Sequence, residues 1–474
     1  MKRMHLNGFK IAGVGHTAIG LWRHPDNQAH RYKDLDYWIE TARTLEAGKF
    51  DSLFMADFSG LADVYGGSPD IAFREALHVP LNDPMMAVSA MAAATRHLGF
   101  GITVPTTYEQ PYSFARKMTT LDHLTKGRVG WNIVTSAVGS AARNLGRDQQ
   151  VPHDERYAMA EEFMEAVYKL WEGSWEDDSV VMDRENGIFA DPAKIHKAAH
   201  DGKYYKVPDA FMCEPSIQRT PTLFQAGSSD KGKEFAARHA EAVFLVNPNV
   251  SGMRRTVDEI RMLAEKAGRD PQSIKFMAGV SVVVAETDRA AQEKFSDQLS
   301  YISLIGTLAR QATLVQMDFS KMDIDKPLQY IETDGIRSFL ERFTKGDPDR
   351  VWTPRQIAEM MSKSAGGISI VGSPSTVADK LEELMEHADI DGFNINDHMP
   401  LRAFPDFVEY VVPELQRRGR VWKDYEGTTL RESVTGVRNP RLDASHIGAS
   451  FRQRRDVNSP AQSAQSASES AGLA

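Results

Sequence analysis

The stretch Gly127–Ser136, with the sequence GRVGWNIVTS, decides the fold of this chain. It opens with a Gly-Arg turn signal, and the run 129–134 is apolar and rich in β-branched and aromatic residues. Such a run predicts a short buried strand. The stretch also contains the polar residues Asn132 and Thr135 near the end of that strand. Because α/β enzymes present ligand-binding groups at the carboxyl ends of buried strands, this end is the first candidate site.

The same kind of short apolar run recurs along the chain, and each run is followed by a helical pattern. The eight predicted strands are residues 4–12, 51–56, 98–104, 129–134, 222–226, 242–246, 276–285 and 391–396. The repeated strand–helix order indicates a parallel sheet, and eight units predict an α/β protein with a closed (β/α)8 TIM barrel. An open doubly wound sheet is the alternative. No Gly-x-Gly-x-x-Gly follows the first strand, which argues against a dinucleotide-binding Rossmann domain.

Length and pattern predict one large domain with two insertions and a tail. We expect a barrel domain over residues 1–445, with insertions at about 173–221 and 303–352. The second insertion is long enough to be a functional loop, so it is a candidate lid over the site. Residues 446–474 are polar and rich in Ser, Ala and Gln, and this composition predicts a disordered tail.

Composition excludes several classes of function. Of the 474 residues 42% are hydrophobic and 26% charged, which is typical of a globular protein, and the net charge of -9 argues against a nucleic-acid or anionic-membrane surface. Cys213 is the single cysteine, so no internal disulfide can form. The sequence shows neither a signal-peptide pattern nor an apolar run of membrane-spanning length. These features predict a cytoplasmic protein.

Polar residues follow several of the predicted strands and are candidates for one shared site. They are Asp57, Thr103, Asn132, Thr135, Ser136, Ser228 and Ser229. The last two lie in the stretch FQAGSSDKG, where a strand turns into a helix. A helix start of this kind suits a phosphate, because its free backbone N–H groups point at the ligand. The alternative is that Ser229 is an ordinary helix N-cap.

A second group of candidates opens the helix after the fourth strand. His153 and Tyr157 are four residues apart, so both point to the same side of a helical first turn. They could bind a cofactor or its phosphate, and a solvated helix start is the alternative. His16 and His24 precede the first helix and could line a pocket. Together with His30 they match no metal-ligand spacing, so no metal site is expected.

Several longer motifs together resemble one enzyme family. They are GRVGWNIVTS, ARNLG (142–146), HDERYAMAEEFMEAVYKLW (153–171), FQAGSSDKG (224–232), FADPAKIH (189–196) and QMDFSKMDIDKPL (316–328). These motifs resemble the bacterial-luciferase-like flavin monooxygenases, and within them the branch of nitrilotriacetate, EDTA and dibenzothiophene-sulfone monooxygenases. The resemblance runs from about residue 4 to residue 432, so it covers nearly the whole chain.

The resemblance implies a TIM barrel of the bacterial luciferase type and a two-component reaction. Reduced FMN would come from a separate NAD(P)H-dependent flavin reductase, and O2 would then be used to oxygenate a small organic or xenobiotic substrate, with cleavage of a C–N, C–S or C–halogen bond. The family's FMN contacts would fall on Asp57, Thr103, His153, Tyr157 and Ser229, with Asn132, Thr135 and Ser228 as neighbours. The resemblance also implies a homo-oligomer, either a dimer or a tetramer. It assigns no catalytic residue, and the roles of His16 and His24 stay open.

Other functions and the substrate also stay open. A deazaflavin-dependent oxidoreductase of the same fold, a flavin-binding protein without turnover and a metal-dependent barrel hydrolase are the alternatives. An aminopolycarboxylate substrate would need a cation in the pocket, and the candidates are Arg23, Arg143 and Lys231. A sulfone or haloaromatic substrate would need an aromatic pocket, for which Trp22, Phe58 and Tyr65 are available.

Overall fold

The eight strands predicted from the sequence are all present in a computed structural model of the protein. The structure describes residues 2–136, 138–227, 229–329, 343–344, 350–364 and 367–452. The barrel strands are β1 (His5–Ile11), β2 (Ser52–Ala56), β3 (Gly99–Pro105), β4 (Val129–Val134), β5 (Thr222–Gln225), β6 (Ala242–Leu245), β7 (Lys275–Val284) and β8 (Gly392–Asn396). Their bounds agree with the predicted ones to within one or two residues.

Parallel pairing closes these strands into a barrel. Each strand from β1 to β7 pairs with the next one along the chain, β7 pairs with β8, and β8 pairs back with β1. The register between β3 and β4 sets Thr103 opposite Asn132. Because all eight strands run in the same direction, their carboxyl ends meet at one rim. The predicted (β/α)8 barrel is confirmed.

Most of the helices cover the outside of the barrel and follow its strands. In chain order they are Leu35–Ala47, Asp70–Glu75, Met85–Ala93, Pro111–Thr125, Gly139–Asn144, His153–Tyr168, Asp230–His239, Val250–Lys266, Asp288–Ser300, Leu304–Val315, Pro354–Ser364, Pro374–Ala388, Ala403–Asp406, Val412–Arg417 and Leu430–Thr435. Among the residues that the structure describes, no helix combines the length and the apolar character needed to cross a bilayer.

Four phenylalanines fill the middle of the barrel, and glycines on its inward face leave room for them. Phe9, Phe54, Phe224 and Phe244 form one buried cluster, with ring centroids of contacting pairs 4.9–5.8 Å apart. A Cβ atom on Gly130 would lie 2.6 Å from the Phe224 ring. A side chain at position 130 would therefore displace the phenylalanine cluster. This cluster forms the floor beneath the rim of the barrel.

A short carboxyl-terminal helix closes the opposite end of the barrel. Helix Leu430–Thr435 has a complete capping box and inserts Leu430 and Val434 into the phenylalanine cluster. Its Arg431 is fully buried and forms an ion pair with Glu241, with Nε–Oε1 at 2.6 Å and Nη2–Oε2 at 2.9 Å. The guanidinium also donates to the backbone oxygens of residues 220, 221 and 440. The sequence analysis missed this helix, because six residues give too short a pattern.

The two insertions contain more regular structure than the sequence predicted. The first has two small hairpins, Val180–Asp183 with Ile188–Ala190 and His200–Asp201 with Lys206–Val207. The second begins with helix Leu304–Val315. After it, strand Ile368–Gly372 pairs with the far half of β7 as a ninth strand outside the barrel. The candidate lid at 303–352 falls partly outside the described residues, so its role as a lid stays a prediction.

The ordered chain extends past the predicted domain boundary at residue 445. Residues Ile447–Phe451 form a 3-10 helix, and the Phe451 ring stacks on Tyr168 with centroids 6.0 Å apart. Burial of this aromatic contact outweighs the polar composition that predicted disorder from residue 446 onward. Residues 453–474 lie outside the described residues, so the predicted disorder of that part is not tested.

Replacing Arg431 by Met should destabilise the barrel strongly, because Glu241 is left buried without its ion-pair partner. We expect the free energy of unfolding to fall by about 3–5 kcal/mol, the usual result of removing one member of a buried pair. The free energy of unfolding is measured by urea titration with tryptophan fluorescence as the signal. Arg417→Met is the control, because Arg417 is an exposed member of a pair with Glu414 and its loss should cost only about 0–1 kcal/mol. Equal losses for the two variants would contradict a stabilising role for the buried pair.

Candidate active site

The strand ends bring most of the predicted site residues to one rim of the barrel. Thr103 lies in β3 and Asn132 in β4, while Thr135 and Ser229 follow β4 and β5. Asp57 comes directly after β2. Ser228 lies outside the described residues, so its place in the site stays a prediction. The rim thus gathers residues that are far apart in the sequence.

Thr103 and Asn132 form a buried polar pair on the inward face of the rim. The Asn132 side-chain amide donates to Thr103 Oγ1 at 2.9 Å, and both residues are almost fully buried. Asn132 Oδ1 is shielded from solvent and has no hydrogen-bond partner among the described residues. A buried acceptor without a partner is unfavourable, so this oxygen suits a ligand that carries an N–H group.

Tyr157 reaches from its helix to the start of the helix that follows β5. A Cβ atom on Gly227 or Gly232 would lie 2.9 Å from the Tyr157 hydroxyl oxygen, so only glycine leaves room for the hydroxyl there. Burial raises the pKa of Tyr157, while the neighbouring Ser229 hydroxyl, the Arg156 charge and the Thr135 hydroxyl oppose the rise. Tyr157 therefore stays protonated at neutral pH and can donate a hydrogen bond.

Ser229 has the position that the sequence predicted, at the start of helix Asp230–His239. Its hydroxyl accepts from the Gly232 backbone N–H at 3.1 Å and so caps the helix. This geometry is compatible with an ordinary N-cap and also with a phosphate site. The cap uses one backbone N–H and leaves other groups of the first turn for a ligand. The positive end of the helix dipole favours an anion at this point.

His153 lies beside Tyr157 in the first turn of the same helix, as the spacing predicted. The two ring centroids are 5.2 Å apart. The Nδ1 atom of His153 lies 2.8 Å from Asp154 Oδ1, so one ring nitrogen already has a carboxylate partner. The first turn of this helix therefore presents the His153 and Tyr157 rings side by side.

The sequence analysis named Ser136 as a strand-end candidate but missed Gln150 and Arg156, the two residues whose side chains hold it just after β4. Ser136 has a left-handed backbone conformation with φ of 46°, which is unusual for a residue other than glycine. Its carbonyl oxygen accepts from Arg156 Nη1 at 2.9 Å and from Gln150 Nε2 at 3.0 Å. Arg156 is buried and adds a positive charge next to Tyr157. Strain held by two side chains is typical of functional loops.

Asp57 is a partly buried carboxyl group with an altered proton affinity. Burial raises the pKa of Asp57 to about 6, and the charge of Asp83 adds to the rise, although the Phe58 backbone N–H opposes it. Asp57 Oδ1 accepts from that N–H at 2.9 Å. A carboxyl group with this pKa changes charge near neutral pH, which is a common property of active sites.

Two histidines and a phenylalanine line the mouth of the barrel above the aromatic floor. The Phe58 ring stacks on the His78 ring with centroids 4.1 Å apart and an interplanar angle of 9°. The His16 ring lies 4.9 Å from Phe9 and 5.7 Å from His78. The sequence analysis named His16 and Phe58 but missed His78, which lies in a long loop without a motif. His24 lies apart from them, with Nε2 at 2.9 Å from Asp297.

The basic residues proposed from the sequence for binding an anionic substrate have other partners. Arg143 pairs with Asp63, and Lys231 pairs with Glu234 at 3.1 Å. Arg23 donates to the backbone oxygens of residues 20 and 301. All three side chains are exposed. None of them therefore supplies an unpaired charge at the mouth of the barrel.

The proposed aromatic residues divide between the site and its surroundings. Phe58 lines the mouth of the barrel, and Trp22 contributes with His16 to the wall of a cavity at the end of β1. Tyr65 packs instead against two apolar clusters formed with helix Leu304–Val315. Phe58 and Trp22 therefore contribute aromatic surface at this end of the barrel, and Tyr65 does not.

Comparison with known proteins identifies a family for this fold and site. The sequence profile described as luciferase-like monooxygenase matches residues 17–392. The chain is 47% identical over 451 residues to the dimethyl-sulfide monooxygenase of Hyphomicrobium sulfonivorans, covering 95% of this chain and 94% of that protein. It is 48% identical over 451 residues to the long-chain alkane monooxygenase of Geobacillus thermodenitrificans, covering 95% and 98%.

The branch to which the sequence motifs pointed is also represented. Nitrilotriacetate monooxygenase component A of Aminobacter aminovorans is 38% identical over 448 residues, covering 93% of this chain and 98% of that protein. The crystal structure of a riboflavin lyase, determined with modified FMN and riboflavin, has a TM-score of 0.90 and 38% identity and covers 96% of this chain and 100% of that chain. The predicted family resemblance and fold type are confirmed.

Replacing Asp57 by Asn should stabilise the flavin-free protein at neutral pH but not at acidic pH. The raised pKa means that the ionised carboxylate is disfavoured in the folded state, so the wild type loses stability as pH rises from about 4 through about 6. A neutral amide at this position would remove this penalty. We expect a gain of about 1–3 kcal/mol at pH 7.5 that shrinks towards zero near pH 4.

Thermal unfolding at a series of pH values between 4.5 and 7.5 measures the effect. Asp424→Asn is the matched control, because the Asp424 side chain is 96% exposed and makes only a 3.9 Å contact with Lys49. Its stability change should stay within about 0.5 kcal/mol at every pH. A gain for Asp57→Asn that does not depend on pH, or a loss at pH 7.5, would contradict the raised pKa.

Proposed function

The chain belongs to the luciferase-like monooxygenase family, and we propose that it works as a two-component enzyme with reduced FMN as cosubstrate. A separate NAD(P)H-dependent flavin reductase would supply the reduced FMN. The enzyme would then use O2 to oxygenate a small organic or xenobiotic substrate, with cleavage of a C–N, C–S or C–halogen bond. Flavin dependence is a property of the family, and the choice of FMN rather than a deazaflavin is part of the proposal.

One observation carries the proposal: the hydroxyl groups of Thr135, Tyr157 and Ser229 meet at the first turn of helix Asp230–His239. Hydroxyl donors, backbone N–H groups and the positive end of a helix dipole form a donor set that suits a phosphate. Arg156 adds a buried positive charge beside Tyr157. These groups would hold the FMN phosphate, and His153 would lie at their edge.

The remaining rim residues suit the ring system of the flavin. Thr103 and Asn132 would face the ring, and the unpartnered Asn132 Oδ1 would accept a hydrogen bond from a ring N–H group. Asp57, whose pKa is raised to about 6 by burial, would lie beside the ring. All three residues would therefore bind the cofactor.

The chemistry requires a dry and shaped pocket more than it requires protein acids and bases. Reduced FMN, when bound, supplies the electrons for the activation of O2. The chain itself would bind and orient the flavin at the rim and exclude water with the aromatic side chains of the floor. Burial holds the pKa of His78 at about 3 and also lowers that of His16, so both rings are uncharged at neutral pH.

The relatives support oxygenation but differ in what they act on. Their names give dimethyl sulfide, a long-chain alkane and nitrilotriacetate as substrates, and the last protein is named as one component of a system. A reductase partner is accordingly part of the proposal, as is a dimeric or tetrameric assembly. Oxidoreduction with a deazaflavin, or flavin binding without turnover, is the alternative.

Loss of the hydroxyl from Tyr157 or Ser229 should weaken FMN binding without unfolding the protein. We expect Tyr157→Phe and Ser229→Ala each to raise the dissociation constant of FMN tenfold to a hundredfold, equivalent to about 1.5–3 kcal/mol for a hydrogen bond to a charged group. Fluorescence titration with oxidised and with anaerobically reduced FMN measures it. Thr287→Ala is the control for Ser229→Ala, since it removes the same kind of N-cap from helix Asp288–Ser300.

Turnover is tested with a flavin reductase, NAD(P)H and 18O2, using the substrates of the three relatives as a first panel. Label in the product supports the monooxygenase. Flavin binding without labelled product from any compound favours the binding protein, and activity that needs a reduced deazaflavin favours the oxidoreductase. If neither oxidised nor reduced FMN binds to the wild type, the cofactor assignment is wrong.

A further inference from the structure

Arg310 is a basic residue at the mouth of the barrel that the proposed chemistry does not use. It lies on helix Leu304–Val315, whose Ala309 packs in a buried cluster with Ala72 and Leu77. The next residue, His78, donates its backbone N–H to the Gly15 oxygen at 3.1 Å. The helix therefore lies beside the two loops that carry His16 and His78.

The guanidinium of Arg310 has no counter-charge in the described part of the chain. Its Nε atom is shielded from solvent and makes no hydrogen bond there, and none of the described carboxylates lies within ion-pair distance of it. Several fully buried cations of this protein are satisfied: Arg431 pairs with Glu241 and Lys10 with Asp397, while Arg128 and Arg269 donate to backbone oxygens. The Arg310 side chain is half-buried, and a cation that is partly withdrawn from water without a counter-charge is unfavourable, which indicates that a ligand pairs with it.

The charge of Arg310 acts on the two mouth histidines, whose loops lie beside helix Leu304–Val315. Burial lowers the pKa of His78 to about 3, and the charge of Arg310 contributes to that lowering. Burial, His78 and then Arg310 lower the pKa of His16. Burial also lowers the pKa of Arg310, to about 10, so its guanidinium remains protonated at neutral pH. The mouth thus contains one positive charge beside two neutral imidazoles.

Apolar surface lies directly next to the two mouth histidines. The Phe58 ring stacks on His78, and the Phe9 ring contacts His16. His78 Nε2 is a second buried polar atom without a hydrogen-bond partner among the described residues. The wall of the mouth therefore combines aromatic surface with one unpaired cation and one unpaired imidazole nitrogen.

We propose that Arg310 binds the anionic end of the substrate, a carboxylate or a sulfonate, while the apolar body of the substrate lies against Phe58 and Phe9. The planar guanidinium matches the geometry of both oxyanions and can bind either through two parallel hydrogen bonds. The proposal rests on the proposed function, because it assigns the mouth of the barrel to the substrate. The proposal assigns an anionic substrate class. Arg23, Arg143 and Lys231 gave no support for such a class, because each of them has other partners.

Matched pairs of probes test the proposal by binding alone. (Methylthio)acetate is compared with 2-(methylthio)acetamide, and phenylmethanesulfonate with phenylmethanesulfonamide, by isothermal titration calorimetry at pH 7.5 with and without FMN. Each pair differs in charge but hardly in size. We expect the wild type to bind the anions about tenfold to a hundredfold more tightly than the amides, the usual effect of charge-assisted hydrogen bonds.

Variants of Arg310 test whether this residue causes the preference for anions over amides. Arg310→Met should bind anions and amides equally, and Arg310→Lys should keep part of the preference, since it retains the charge but not the planar fork. Arg289→Met, which changes an Arg side chain that is 86% exposed, should behave like the wild type. Melting temperatures of all variants show whether they are folded.

Three results would overturn the proposal. They are equal binding of anions and amides by the wild type, a preference that survives in Arg310→Met, and weaker FMN binding by Arg310→Met, which would assign the cation to the flavin. The titrations without FMN involve no turnover. A failure of the oxygenation assay can therefore be told apart from a failure of anion recognition.

Discussion

The structure depends on the closure of eight parallel strands into a barrel, because closure brings all carboxyl ends to one rim. Thr103 and Asn132 become hydrogen-bonded neighbours only through the register of β3 and β4. Phenylalanines from four strands fill the space below them, and Gly130 leaves room for one of these rings. A rigid floor of this kind holds the polar groups of the rim in place, since packed aromatic side chains have little freedom to move.

Charged groups are satisfied to different degrees at the two ends of the barrel. At the closed end Arg431 is satisfied completely, by Glu241 and by three backbone oxygens. At the open end Asp57 has a raised pKa, and no described carboxylate neutralises Arg310. A fold that pairs its structural charges but leaves groups unpaired at the rim is typical of a site that a ligand completes. Stability and function are therefore assigned to opposite ends of the same sheet.

Much of this arrangement could be predicted from the sequence, because local patterns determine it. The eight strands show as short apolar runs, and the i, i+4 spacing of His153 and Tyr157 places both rings on one side of a helix. The Ser229 cap follows from its position before a helical pattern. Elements within and after the second insertion gave no such signal. Helix Leu304–Val315 and strand Ile368–Gly372 were missed because long-range packing, and not local sequence, stabilises them.

The sequence by itself determined the barrel, the family and the residue types available at the strand ends, since periodicity and motifs are properties of neighbouring residues. Only the tertiary structure decided which polar groups are satisfied. It paired the candidates Arg143 and Lys231 with carboxylates and left Arg310 without one among the described residues. It also brought His78 and Phe58 into contact. The physical reason is that burial and charge pairing depend on distances between residues far apart in the chain, which only the folded structure sets.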